Sequence, residues 1–229
     1  MNTPGNHPEN RTETNPEAHS EPHARIAAAE IAAAEIVERL SVAWQHGEHV
    51  DLSGVTCEGR LDLSGRELPG VDLSGAVFPD GLDASGARFQ GLAWFRGVAF
   101  EGPSPFAGAT FLSDARFEDT SFEAAADFSN TEFRGIARFD HASFMQGASF
   151  AGSTAYGNFS LAHARFEAPG DFRGAEYLGG IWCDGTRFAE GTDFADIQVH
   201  GRLWIRRARL GGQPLDPGSF TVSFGYTYA

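Results

Sequence analysis

From residue 50 to residue 210 the chain is built from fifteen consecutive blocks, each full block 11 residues long except the one opening at Leu61, which is one residue short. A period held that long is the signature of a repeat architecture and fixes the fold before any single residue is considered. Blocks such as ARFEDTSFEAA (115–125), ADFSNTEFRGI (126–136) and ARFDHASFMQG (137–147) share one logic. Their third and eighth positions are large and apolar and take 17 of the 20 phenylalanines, among them Phe117, Phe122, Phe128, Phe133, Phe139 and Phe144. Their first and sixth positions are small or β-branched, as in Ala115, Thr120, Ala126 and Thr131. Inward residues two apart belong to a strand, whose side chains alternate faces, so each half-block reads as a very short strand. In the first fourteen blocks the fifth position holds only Gly, Asp, Asn or His (Gly54, Gly108, Asp119, Asn130, His141, His163, Gly185, Asp196), the types that tolerate positive φ. The chain therefore turns a corner after each half-block.

Short strands, corners and a fixed inward pair stack into an all-β solenoid in which each coil buries rings above those of the coil below. Two blocks make one coil of about 22 residues, and residues 50–210 give about seven coils over roughly 35 Å at ~4.8 Å per layer. Residues 1–23 carry Pro4, Pro8, Pro16 and Pro22 among polar side chains, a composition expected to form a disordered tail. Residues 24–47 are alanine-rich, with Ile26, Ala29, Ala33, Ile36, Val37, Leu40 and Trp44 on one helical stripe and Gly47 at the expected C-terminal cap. This amphipathic helix is expected to cap the N-terminal end, because an open solenoid end exposes strand edges and rings. Residues 211–229 are expected to fold over the other end or to add a strand.

Composition removes several function classes. All 17 basic residues are arginine, so no lysine is present for a Schiff base, a pyridoxal-phosphate linkage or a P-loop. Against 31 acidic side chains they leave a net charge of −14, which argues against direct binding of a phosphate backbone. No apolar run suggests a secretory signal or a membrane span, and a bacterial-type cytoplasm is the expected setting. Cys57 and Cys183 fall at inward eighth and third positions and read as small core residues. His141 and His163, 22 apart, could stack as a metal pair, and His46, Glu48 and His49 could share an ion. Corner chemistry accounts for the first pair and no further ligand completes the second set, so neither a metal nor any other cofactor is expected.

The boundaries VDLSG (50–54 and 71–75), LDLSG (61–65), ADFSN (126–130) and GDFRG (170–174) resemble the A(D/N)LxX unit of the pentapeptide-repeat family, and the likeness spans residues 50–210. That resemblance implies a right-handed, four-sided β-helix. This chain departs from the family by one inserted residue in every second repeat, hence about 22 residues per coil in place of the family's usual 20. The resemblance also implies that aspartate before the inward residue bonds the backbone near the corner. Some members of the family are acidic rods that imitate duplex DNA and bind type II topoisomerases, protecting them from inhibitors. This chain shares the acidity and the rod shape, but not an evident C-terminal dimerisation helix, and its C-terminal coils are basic.

Function is expected on outward positions. One face collects Asp62, Asp83, Asp127, Asp171 and Asp193, broken by Pro105 and Ser149. The opposite face carries Trp94, Trp182 and Trp204, with Arg165, Arg187 and Arg209 beside it at the seventh positions of the same blocks. Exposed tryptophan with arginine is the composition of an interface hot spot. The reading is a non-enzymatic scaffold that binds another protein, with homodimerisation through a solenoid end as a possible arrangement. The alternative is an acidic DNA mimic acting on a topoisomerase. A third reading, an enzyme using wall carboxylates, requires long loops at one corner, and the unbroken period has none.

Overall fold

The computed structural model describes residues 29–229. The expected 1–23 tail, and residues 24–28 of the expected helix, lie outside them.

Each half-block is a short strand followed by a corner, and four half-blocks close one coil. Wall 1 begins with His49–Asp51, wall 2 with Thr56–Glu58, wall 3 with Leu61–Asp62 and wall 4 with Glu67–Leu68. Strands of successive coils pair in parallel, so the backbone hydrogen bonds run between layers, along the axis. The register is 22 residues: Ala93 faces Ala115, Ala115 faces Ala137, and Ala137 faces Phe159. The short block at Leu61 shrinks the first coil to 21, pairing Val50 with Val71 and Leu61 with Leu82. Wall 1 contains nine strands, more than the seven coils expected: eight lie within residues 49–204, because the first and the last of the fifteen blocks both open on this wall, and Thr227–Tyr228 adds the ninth.

The corners obey the residue code. Asp119, Asn130, His141, His163 and Asp196 all turn with φ between +54° and +60°, as the glycines at equivalent positions do. The extra residue of each six-residue half-block lies at the corners after walls 2 and 4, where coils approach closely. A Cβ added at Gly157 would stand 2.4 Å from the Gly135 carbonyl oxygen of the coil below, which explains the recurrent glycine there.

Inward rings form four axial columns. On wall 2, Phe78, Phe100, Phe122, Phe144, Phe166 and Phe188 stack with centroids 4.6–5.4 Å apart. On wall 1, Phe95, Phe117 and Phe139 stack at 4.6 and 4.8 Å. Rings of opposite walls meet edge to face across the interior, as Phe128 of wall 3 and Phe139 of wall 1 do at 5.1 Å and 81°, a geometry that suits the ring quadrupole. Where the wall 4 column loses its ring at Ala155, the ring of Phe159 enters from wall 1, 5.7 Å from Phe133 and 4.6 Å from Tyr177. The buried hydroxyls of Thr120 and Thr131 donate to the carbonyls of Phe95 and Phe106, which satisfies the polar atoms these two sixth positions bring inside.

The N-terminal cap differs from expectation. The helix spans only Ala33–Leu40, burying Ile36 and Leu40 against the first strand of wall 3. Glu30–Ala32 is a strand, paired in parallel with Thr56–Glu58, which places Ile31 beside Cys57. An exposed strand edge gains more from backbone partners than from a helix laid across it, so the chain supplies a further rung of wall 2. Gly47 caps no helix; it turns with φ +83° on the way into wall 1. At the other end the chain adds strands. Gln213–Pro214 forms a hairpin on Arg209–Leu210, Thr221–Val222 extends wall 4 and Thr227–Tyr228 extends wall 1. Phe220 is buried 5.2 Å from Phe194, continuing the ring column of wall 3.

Candidate functional site

Parallel pairing in register places identical outward positions directly above one another, so wall 1 presents its second-position residues as a ladder. Trp182 faces Trp204, their rings stacked at 5.9 Å and 12°. Tyr228 pairs with Trp204 in the next layer and extends the stack at 4.4 Å. The Arg202 guanidinium lies 6.0 Å from the Tyr226 ring, within cation–π reach, and Tyr226 meets Tyr228 edge to face. Beside this patch a groove of about 450 Å³ runs along the corner, floored by Gly179, Gly201 and Gly225 and walled by Trp182, Arg202 and Tyr226. Tyr226 and Tyr228 are 57% and 41% exposed. Neither was legible as a site residue, because the C-terminal coil stretches to 24 residues between Trp204 and Tyr228 and the period is lost.

Arg165, Arg187 and Arg209 form their own ladder on wall 2, around the corner from the tryptophans. Trp94 is not part of the patch. It stands between Asp72 and Arg116 on wall 1, four layers from Trp182, with its ring 5.6 Å from His49. The expected tryptophan face therefore divides into a C-terminal aromatic cluster and a separate N-terminal pair.

A fixed place three residues before the corner sets the role of the aspartates. Asp62, Asp83, Asp127, Asp171 and Asp193 each accept, through Oδ1, the backbone N–H two residues on, at 2.8–3.0 Å. Asp51 and Asp72 repeat this contact on wall 1. A scan against family models matches the pentapeptide repeats, in nine copies, over residues 84–132, 117–164 and 128–176. Residues 84–176 of this chain are pentapeptide repeats. No curated protein matches it. Among solved structures it is similar to QnrB1, a plasmid-mediated fluoroquinolone resistance protein, at 16% identity over 88% of this chain and 92% of the other, with a TM-score of 0.46.

In this pentapeptide-repeat chain the aspartates are corner supports, and their ionisation follows from their partners. The hydroxyl and N–H of Ser64 hold Asp62 below the usual carboxylate range. Arg173, 2.6 Å from Asp171, and Arg207, 2.6 Å from Asp184, do the same for those two. A carboxyl whose folded pKa is depressed stabilises the fold above its unfolded value, and that contribution vanishes as pH falls through the folded value. Melting temperature is thus expected to hold from neutral pH down to about 5 and to drop below about 4. Scanning calorimetry of wild type and Asp184→Asn across that range checks this: the variant should melt lower at neutral pH and show a flatter acid limb.

His141 and His163 stack at 5.0 Å on their corners, beside Arg165 and Arg187 in a groove of about 490 Å³. Among the described residues no group of three His, Cys, Asp or Glu side chains is placed to hold a metal ion, and no helix is long and apolar enough to cross a membrane. Burial pushes the thiols of Cys57 and Cys183 up, away from the thiolate a nucleophile needs.

Proposed function

We propose that this pentapeptide-repeat solenoid is a non-enzymatic scaffold that binds another protein through the C-terminal part of wall 1. The carrying observation is the Trp182–Trp204–Tyr228 stack with Arg202 at its border, on a regular surface without a deep cleft. Aromatic and arginine side chains dominate interface energetics, and stacking holds these rings in place before a partner arrives, which lowers the ordering cost of binding. Arg165, Arg187 and Arg209 flank the patch. Affinity capture with wild type and with a Trp182→Ala, Trp204→Ala variant tests the reading. A specific partner should disappear from the variant while its melting temperature stays within a few degrees. An unchanged capture profile removes wall 1 from the function.

A second reading, an acidic rod imitating duplex DNA toward a type II topoisomerase, draws on the aspartate column of wall 3. That column is broken at Pro105 and Ser149, its carboxylates are engaged by the corner backbone, and Arg60 and Arg173 pair with Asp83, Asp171 and Asp193. The acidity is also uneven. Residues 29–136 hold 18 acidic and seven basic side chains, while residues 137–229 hold nine and eight. Inhibition of DNA supercoiling by micromolar protein would support the mimic; its absence favours the scaffold.

A further inference from the structure

Wall 2 carries a feature its own stability does not explain. Arg165 faces Arg187, and Arg187 faces Arg209, each directly opposite in adjacent parallel strands. Like charges in that position destabilise a sheet. In a chain with 27 acidic residues among those described, a compensating partner would be easy to place. Six other arginines, Arg39, Arg60, Arg116, Arg134, Arg173 and Arg207, each pair with a carboxylate, and six more have no described ion pair, but only Arg165, Arg187 and Arg209 stack three deep in register. The described ion pairs include none for Arg165, Arg187 or Arg209, and only Arg209 makes a polar contact, donating to the Gly212 carbonyl at 2.9 Å. All three are exposed. One end of the row opens into the groove lined by Ser143, His141 and His163, while the exposed Glu167 and Glu190 follow the strands toward the wall's other corner.

We infer that this ladder receives an acidic α-helix of the partner, lying along the solenoid axis with one glutamate or aspartate per turn facing the arginines. The inference rests on the scaffold reading and adds the chemistry of what is bound. Spacing selects the helix. Three rungs at ~4.8 Å per layer span about 9.6 Å. Carboxylates at i, i+4 and i+7 of a helix span about 10.5 Å, a mismatch that arginine stems absorb. Same-side residues i, i+2 and i+4 of an extended strand span about 13 Å and overshoot the ladder. Glu167 and Glu190 repel such a helix from one side and seat it toward the histidine corner.

The test uses the full chain and three labelled probes followed by fluorescence anisotropy at low salt. The first is a stapled alanine-based helix with glutamates at i, i+4, i+7 and i+11. The second has the same composition and staple with its glutamates spread around the helix. The third is a 15-nucleotide oligothymidine. The first should bind about tenfold tighter than the second, as three exposed ion pairs allow, and should weaken as salt rises. Arg165→Gln, Arg187→Gln, Arg209→Gln should abolish that preference while melting at or above the wild-type temperature, since it relieves like-charge contacts. Equal binding of both helices, no binding of either, preferential binding of oligothymidine, or a lower melting temperature in the triple variant each overturns the inference. If the helix fails to bind yet Trp182→Ala, Trp204→Ala still loses its captured partner, the scaffold reading stands and only the acidic helix is removed.

Discussion

Phe159→Ala should lower stability by about 3–5 kcal/mol, and adding Ala155→Phe to that variant should recover most of the loss. The ring of Phe159 is fully buried and touches Phe133, Phe139, Phe150 and Tyr177, filling the place that the wall 4 column vacates at Ala155. Deleting it leaves a hole among aromatic side chains that are held in register by backbone ladders and cannot collapse into it. Ala155→Phe alone inserts a second ring into an occupied layer and should cost about 1–3 kcal/mol. In the double variant a ring at residue 155 stands in line with Phe133 and Tyr177, as Phe89, Phe111 and Phe133 stand in line in the preceding coils. Urea unfolding midpoints of the four proteins give the coupling directly. Additive losses would show that the two sites do not share one volume.

Gly157→Ala should cost about 3 kcal/mol, the upper part of the overpacking range, whereas Gly174→Asn should stay within about 0.5 kcal/mol of wild type. The two glycines serve different physical needs. At Gly157 an added Cβ meets the Gly135 carbonyl oxygen at 2.4 Å, its carbon at 2.8 Å and the Ile136 nitrogen at 3.2 Å. All three are backbone atoms, and the Ile136 N–H is tied to Asp114 Oδ1 of the neighbouring coil, so no rotamer change relieves the clash. Gly174 turns with φ +64° and has nothing within 4 Å of its virtual Cβ. Asn130 already occupies an equivalent corner at φ +54°. Thermal melts of the two variants separate the cases, and equal losses would mean that coil spacing at the wall 4 corner is softer than the contacts indicate.

The repeat was legible because a solenoid writes its three-dimensional neighbours into the sequence at a constant offset. Phe117 and Phe139 are 22 residues apart and stack at 4.8 Å, so period and contact are one fact. Trp182 and Trp204 were legible together for the same reason. Trp94 shares the wall but lies 88 residues, four coils, before Trp182, so a common outward position does not by itself make one patch. Tyr228 and the strand Glu30–Ala32 were hidden because both lie outside the 11-residue register, where pairing depends on which edge is left open.

The sequence alone determined the wall, the layer and the inward or outward sense of residues 50–210, since those follow from two-residue strand alternation and corner chemistry repeated at a fixed interval. The tertiary structure decided the ends and the surface. It alone showed that the strand Glu30–Ala32 opens the stack where a longer helix was expected, that the C-terminal segment adds strands, and that one arginine row lacks carboxylate partners. Those outcomes depend on distances between atoms of different coils and on open edges, which a period does not encode.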